Sequence, residues 1–479
     1  MSQYVIRRIL LIFPTLFIAS LLVAAMVRLL PGDVIDIMVA GGRGGRVIAT
    51  EEAREFTRVK LGLEKPFHIQ YIRWMFGWPK TEGEVFKTSD AGATWKRLGA
   101  DTIKLFPFTD VTFMSTTIGW ALAENLIFGT TNGGSEWSRQ HKGDNSLNAI
   151  AFVDEENGWA VGDKGTILHT TEGGASSIGE EGELLSSWVS QNSNTSQRLT
   201  DVAFVDTETG WVVGDGGLIS HTVDAGAGWE EQNSGTETKL SSVAFYDARN
   251  GWAVGDGGLI LHTVDGGAGW EEQNSGTSKH LNDITLAGPL HLWAVGDKGT
   301  VLRSSDGGFS WIPHTISEDV GQKLTSVAFG DENNGMIAGH DGLILTTADG
   351  GATWSRQEIV ITKRQGDTTI QEDPTTKPIR DISLLVTPAG TVRAWAPAVE
   401  RSWKWGLIGG NLGERFTLGG RAVTGELART FGPSLQLMIM STIFALSIAI
   451  PVGIFSAIRQ DTIGDYAGRT FAISGLAVP

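Results

Sequence analysis

No cysteine occurs in the 479 residues, which excludes disulfides and thiolate metal sites. Basic residues are scarce through the middle: Gly83 to Ala398 carries 20 Lys and Arg against 42 Asp and Glu, whereas the two flanks together hold 18 against 12. The field of such an anionic segment repels phosphate, which argues against nucleic-acid binding. The change of sign between middle and flanks is also a first mark of an insertion. What the chain has in abundance is glycine and tryptophan, 63 and 17 residues, a composition that fits a turn-rich β architecture better than a helical enzyme. Long apolar runs are confined to the flanks.

Ile9 to Val27 is an uncharged run of span length that follows Arg7 and Arg8. A cleaved signal peptide is the alternative, but its apolar core is usually about 7 to 15 residues. The run therefore predicts a retained transmembrane helix over about 9–30. A second such run, Leu435 to Ile458, contains Pro451, which membrane helices tolerate where neighbours satisfy the freed carbonyl. A third apolar segment begins at Thr470 and stops at Pro479, too soon to span. Arg7 and Arg8 before the first run, with Arg459 and Arg469 after the second, place both ends in the cytoplasm and the middle outside it.

Between the runs lies an internal repeat. Trp211, Trp252 and Trp293 stand 41 residues apart, as do Trp229, Trp270 and Trp311. One unit, from Ser242, reads SVAFYDARNGWAVGDGGLILHTVDGGAGWEEQNSGT: three apolar strands and a polar fourth, separated by Asp-Gly turns in which glycine tolerates positive φ. Four strands per unit at this period indicate a β-propeller. Copies start near Asp110, Ala149, Asp201, Ser242, Asp283 and Ser326, the second stretched by Ala175 to Ser187. A seventh begins at Asp381 but supplies only two strands, while Gly83 to Leu98 reads as an orphan rear half ending in the turn TSDAGATW. The expectation is a blade made of both, 83–98 with 381–396, which closes the ring and leaves no free sheet edge.

Two resemblances attach to these motifs. The S/T-x-D-x-G-x-x-W turns, Thr88 to Trp95 and its counterparts ending at Trp229, Trp270, Trp311 and Trp354, with the GWAVGD strands, resemble the Asp-box propellers of the photosystem II stability and assembly factor family over about 83–398. The flanks, including YVIRRILLIFPTLFIASLLVAAMVRLLPGD and ELARTFGPSLQLMIMSTIFALSIAIPVGIFSAIRQDTIGDYAGRTFAISGLAVP, resemble the inner-membrane permease of dipeptide, oligopeptide and nickel ABC importers, interrupted between Gly77 and Trp405. The fold class expected is thus mixed: an all-β seven-bladed propeller, 83–398, inserted between the first two transmembrane α-helices of a permease-like membrane domain formed by 1–77 and 404–479. The permease resemblance implies a multi-pass protein of a prokaryotic plasma membrane. It also implies a second permease subunit, ATP-binding subunits and an extracytoplasmic solute-binding protein as partners, besides the lipid bilayer. The coupling loop and remaining helices of that family do not occur in these residues, so the chain is expected to be the N-terminal part of a longer or truncated product.

No catalytic, cofactor or metal residues are expected. Asp-box propellers include sialidases, which need an arginine cluster and a tyrosine nucleophile; the propeller's only tyrosine is Tyr246, and Arg249 is the only arginine between Arg198 and Arg303. His169, His221 and His262 hold equivalent third-strand positions in successive blades and should lie apart. Asp163, Asp215, Asp256 and Asp297 occupy equivalent turns; they are the candidate binding residues, as an acidic ring on one face, although turn chemistry alone also accounts for them. Two functions follow. One is an importer permease subunit for peptides or similar small solutes, incomplete here, whose extracytoplasmic propeller binds a protein or ligand. The alternative is a membrane-tethered binding or assembly factor without transport activity.

Overall fold

In the computed structural model the described residues are 78–98, 107–178, 184–316, 320–360, 362–365, 368–371 and 375–404. The expected helices over about 9–30 and 435–458 lie outside them. Among the described residues no helix is long and apolar enough to cross a membrane. Residues 80–402 form one compact unit, distinct from a second made of 1–79 and 403–479.

The repeat folds as seven four-stranded sheets. Six are local. Blade 1 contains Asp110–Phe113, Gly119–Ala123, Leu126–Thr130 and Ser138–Lys142; blade 2 contains Leu147–Phe152, Gly158–Gly162, Ile167–Thr170 and Val189–Gln191. Blade 3 contains Leu199–Phe204, Gly210–Gly214, Ile219–Thr222 and Glu230–Gln232, and blade 4 Leu240–Phe245, Gly251–Gly255, Ile260–Thr263 and Glu271–Gln273. Blade 5 contains Leu281–Leu286, Leu292–Gly296, Val301–Ser304 and Ile312–Pro313, and blade 6 Leu324–Phe329, Gly335–Gly339, Ile344–Thr347 and Ser355–Gln357. Blade 7 is composite: Ser383–Val386 and Val392–Lys404 pair with Trp78–Thr88 and Lys96–Arg97 from the other end of the domain. Within the stretched part of blade 2, Ser176–Ile178 pairs with Leu184–Ser186 as a hairpin. A second hairpin, Thr362–Gln365 with Thr368–Gln371, follows blade 6 and was not legible in the repeat.

Burial follows strand rank. In blades 1 to 6 every residue of the second strand is buried, and the fourth strands of blades 3, 4 and 6 are mostly exposed. In blades 1 to 4 the glycine before the second-strand tryptophan has a packing reason: a Cβ at Gly210 would run into the ring of Phe204 on the first strand. That ring is needed elsewhere. Phe204 stacks on Trp159 of the preceding blade with centroids 3.5 Å apart, and Phe245 repeats the contact on Trp211 at 3.5 Å. The tryptophans are fully buried, and such aromatic pairs contribute about 0.5–1.5 kcal/mol beyond the area they bury. Several indole N–H groups reach the next blade too, Trp120 to the Gly173 carbonyl at 2.9 Å and Trp211 to that of Gly266 at 3.1 Å.

The same fasteners close the ring. Trp395 of blade 7 stacks on Phe113 of blade 1 at 3.8 Å and donates its indole N–H to the Gly133 carbonyl at 3.1 Å. From the N-terminal half of blade 7, Lys87 Nζ donates to that carbonyl at 3.1 Å. The Asp381 carboxylate accepts from Val111 N–H at 3.1 Å and the Ser383 hydroxyl from Phe113 N–H at 3.0 Å. Glu84, beside them, pairs with Arg97 at 3.1 Å and with Lys377 at 3.3 Å.

The turns after the second strands close tight antiparallel hairpins, as the Asp-Gly signals lead one to expect. They are single 3-10 turns, Asp163–Gly165, Asp215–Gly217, Asp256–Gly258, Asp297–Gly299 and His340–Gly342. The middle position is left-handed but need not be glycine, being Lys164, Lys298 and Asp341 in three of them. The last position must be: a Cβ on Gly258, at φ +82°, would strike the Thr277 carbonyl of the loop that leads to the next blade.

Deleting 83–98 from the isolated unit 80–402 should expose the second strand of blade 7 as an edge, lowering the melting temperature or causing aggregation. Unchanged melting by calorimetry would show that the composite sheet does not hold the ring.

Candidate functional site

Successive strands within each local blade are antiparallel. Turns between second and third strands therefore emerge at one mouth of the ring, together with the loops that pass from blade to blade. At this mouth stand Asp163, Asp215, Asp256 and Asp297, one in each of blades 2 to 5. They are not gathered into a ring of bare carboxylates. The side chain of Asp163 meets Arg198 at 3.1 Å, Asp256 meets His280 at 3.0 Å and Asp297 meets Lys323 at 3.3 Å, each partner standing just before the first strand of the following blade. The backbone N–H of Asp215 donates to the Arg198 carbonyl at 3.0 Å, tying the turn to the start of its own blade. The partly exposed Asp163–Arg198 and Asp297–Lys323 pairs contribute about 0–1 kcal/mol each. A polar recess of about 480 Å³ lies here, lined by Asp256, Glu272, Asn274, Thr236 and Thr277 among others.

The three equivalent histidines stay in separate blades. His169 stacks on Trp159 at 4.5 Å, His221 on Trp211 at 4.7 Å and His262 on Trp252 at 4.9 Å, and burial lowers the pKa of all three. Among the described residues no three His, Asp or Glu converge in a group that could hold a metal ion.

A second acidic set lies nearer the axis. The first strands of neighbouring blades contact one another around the channel. Asp110, Asp201, Asp283 and Asp381 occupy equivalent positions on them in blades 1, 3, 5 and 7, while Ala149, Ser242 and Ser326 fill blades 2, 4 and 6. Each carboxylate straps its blade to the next: Asp110 accepts from Ile150 N–H at 2.7 Å, Asp201 from Val243 N–H at 2.8 Å and Asp283 from Val327 N–H at 2.7 Å. The serines complete the chain, Ser242 donating to Asp283 at 2.9 Å and Ser326 to Asp381 at 2.9 Å. Because seven is odd, the alternation fails once, at the seam, where Asp381 is beside Asp110. The signal was present in the repeat as DVTF, DVAF, DITL and DISL against AIAF and SVAF; the positions read there as strand starts, and nothing in one strand's pattern shows that it faces an axis.

Enclosure by the ring raises Asp110, Asp201 and Asp283. Burial pushes Asp201 up to about 6 and Asp283 to about 7; burial and then the neighbouring Asp381 carboxylate hold Asp110 well above the usual carboxylate range. A carboxyl whose pKa is higher folded than unfolded binds more protons when folded. Its contribution to stability is complete below the ordinary value of 3.8 and is lost as pH rises through about 7 for Asp283. Asp283→Asn, which keeps an acceptor for Val327 N–H, should therefore melt higher relative to the parent at pH 8 than at pH 5. An offset that does not change with pH would contradict the enclosure of this carboxyl.

At the opposite mouth the Asp-box turns and the turns between first and second strands emerge together. In each box the carboxylate fixes the turn: Asp224 Oδ1 accepts from the Thr222 hydroxyl at 2.8 Å and from Gly228 N–H at 2.9 Å, and Asp265 accepts from Thr263 at 2.8 Å and Gly269 N–H at 3.0 Å. Such bonds favour the ionised form. The Thr353 hydroxyl and amide lower Asp349 to about 2, and the Gly228 and Gly269 amides lower Asp224 and Asp265. This mouth is anionic at any physiological pH.

Comparison with known proteins gives two kinds of match. The glutathione transport system permease protein GsiC of Salmonella paratyphi A is 37% identical over 75 residues, 16% of this chain and 22% of that protein. The dipeptide transport system permease protein DppB of Escherichia coli is 39% identical over 77 residues, 16% of this chain and 21% of that one. The chain thus spans about a fifth of the length of these curated relatives. Among solved structures, YCF48 bound to D1 peptide aligns with a TM-score of 0.47 at 18% identity, over 65% of this chain and 94% of that one. YCF48 from Cyanidioschyzon merolae aligns with a TM-score of 0.42 at 17% identity, over 60% and 95%. Residues 93–178, 180–276 and 268–370 match the model of the photosynthesis system II assembly factor YCF48. Since those matches take in more than half of the residues, the chain belongs to the YCF48-like propeller family.

Proposed function

We propose that the chain is part of a permease subunit of an ABC importer for peptides or similar small solutes, and that its propeller is an extracytoplasmic module for binding a protein or ligand. The observation that carries this reading is the similarity to peptide and glutathione permeases over 16% of the chain, in a sequence whose flanks hold two span-length apolar runs. The protein so read sits in a prokaryotic inner membrane as a multi-pass subunit. It works with a second permease, ATP-binding subunits and a solute-binding protein, and is not itself an enzyme. A membrane-tethered binding or assembly factor is the second reading, favoured by the share of the sequence that carries the propeller pattern.

Two measurements test these readings. Thr207 is exposed on a blade 3 turn, and the chain is otherwise free of cysteine, so Thr207→Cys should react with a membrane-impermeant maleimide in intact cells. Reaction only after lysis would contradict the topology. Copurification of the full chain with an ATP-binding subunit is expected of a permease; stable membrane integration without one would favour the tethered factor.

A further inference from the structure

The anionic mouth carries an apolar patch, on the turns of blades 4 and 5, that the fold does not require. Backbone bonds weld its two sets of turns together, Gly266 N–H donating to the Arg249 carbonyl at 2.9 Å and Gly307 N–H to that of Leu290 at 3.1 Å. On this platform Phe309 is 66% exposed, Leu290 54% and Tyr246 51%. Phe309 stands where the other boxes place Ala227, Ala268 and Ala352; Leu290 stands where other turns place Glu208, Arg249 and Asn333. Blade 5 thus departs from the repeat twice, each time toward a large apolar side chain in water.

These residues adjoin. Phe309 meets the His262 ring of blade 4 edge-on at 5.1 Å, and exposed Val264 lies two positions along the same strand and turn, on the same side. Leu290 holds Gly307, two residues before Phe309. Grouped exposed apolar side chains of this kind mark interaction surfaces more often than scattered ones do.

Charge defines what such a surface accepts. In the Asp-box turns and the first-to-second-strand turns of all seven blades, Arg249 is the only Lys or Arg, while Asp206, Glu208, Asp247, Asp331 and Glu332 stand among them. The other mouth, by contrast, pairs its acids with cations, and both chain connections of blade 7 leave from that end. We propose that the Asp-box face over blades 3 to 5 docks a cationic polypeptide segment in which Lys or Arg alternates with aliphatic or aromatic side chains. The apolar side chains cover Phe309, Leu290 and Val264, and the cations meet the surrounding carboxylates. This rests on the reading of the propeller as a binding module.

The test titrates the full chain, in zwitterionic detergent, with three labelled peptides of equal length: alternating Lys and Leu, alternating Glu and Leu, and alternating Lys and Ser. The Lys-Leu peptide should bind most tightly, and more weakly as salt screens the carboxylates. The double variant Phe309→Ala with Leu290→Asn introduces residue types already present at these positions in other blades. It should keep the parent melting temperature and lose about tenfold or more in affinity, the scale of interface anchors. Glu237→Lys at the other mouth should change nothing. Lys-Leu binding that survives the double variant would overturn this face while leaving the binding-module reading intact. Preference for the Glu-Leu peptide would keep a binding module but overturn its partner class, and binding of none would remove both. Self-association lost in the double variant would assign the face to a second copy and overturn the proposal.

Discussion

One junction decides whether this domain is a ring or an open array. Blades 1 to 5 and blade 7 each lean a second-strand tryptophan on the next blade, blade 6 having Met336 at that position, and six of the seven junctions join neighbours in sequence. The seventh joins Asp381 to Val111 across 270 positions. Loop-closure cost grows only slowly with length, roughly as 1.5RT ln n, so a few well-made contacts can hold it. At the seam the Trp395–Phe113 stack and the Val111 amide on Asp381 repeat contacts made at other junctions, and Ser383, accepting from Phe113 N–H, and Lys87 from the N-terminal strand of the composite blade are added. Without it, blades 1 and 7 would each present an unpacked face to water.

The closing blade shows both how far the sequence could be read and where it stopped. The repeat, the GWAVG strands and the orphan turn TSDAGATW are local patterns with known periods, and they lead to seven blades and to a rear half that needs a front. The axial carboxylates are different. Asp201 and Ser242 look like ordinary strand-leading residues, and that they strap one blade to another depends on a rotation between blades that no strand encodes. The same limit applies to Asp163, Asp256 and Asp297: their equivalence is visible, but Arg198, His280 and Lys323, which meet them, come from the next blade. The hairpin over 362–371 escaped because it lies outside the repeat.

The two mouths have been put to different uses. Where loops pass between blades, acids pair with bases and serve cohesion. Where the Asp boxes emerge, each carboxylate spends its hydrogen bonds on its own turn and keeps its charge, so the fold's local rule produces an anionic surface as a by-product. Blade 5 then adds Phe309 and Leu290, which no turn needs. Family membership rests on the propeller alone; the permease likeness covers a small part of the chain and a small part of its relatives, so transport is a proposal about the flanks.

Native-state hydrogen exchange tests closure most directly. Val111 and Phe113 donate their amides to Asp381 and Ser383 across the seam, while Val243 donates to Asp201 at an ordinary junction. If the ring is closed, all three amides should exchange only through opening of the domain, with comparable protection. Rapid exchange at Val111 and Phe113 while Val243 stays protected would mean that the seam stands open, and that the composite blade does not close the propeller.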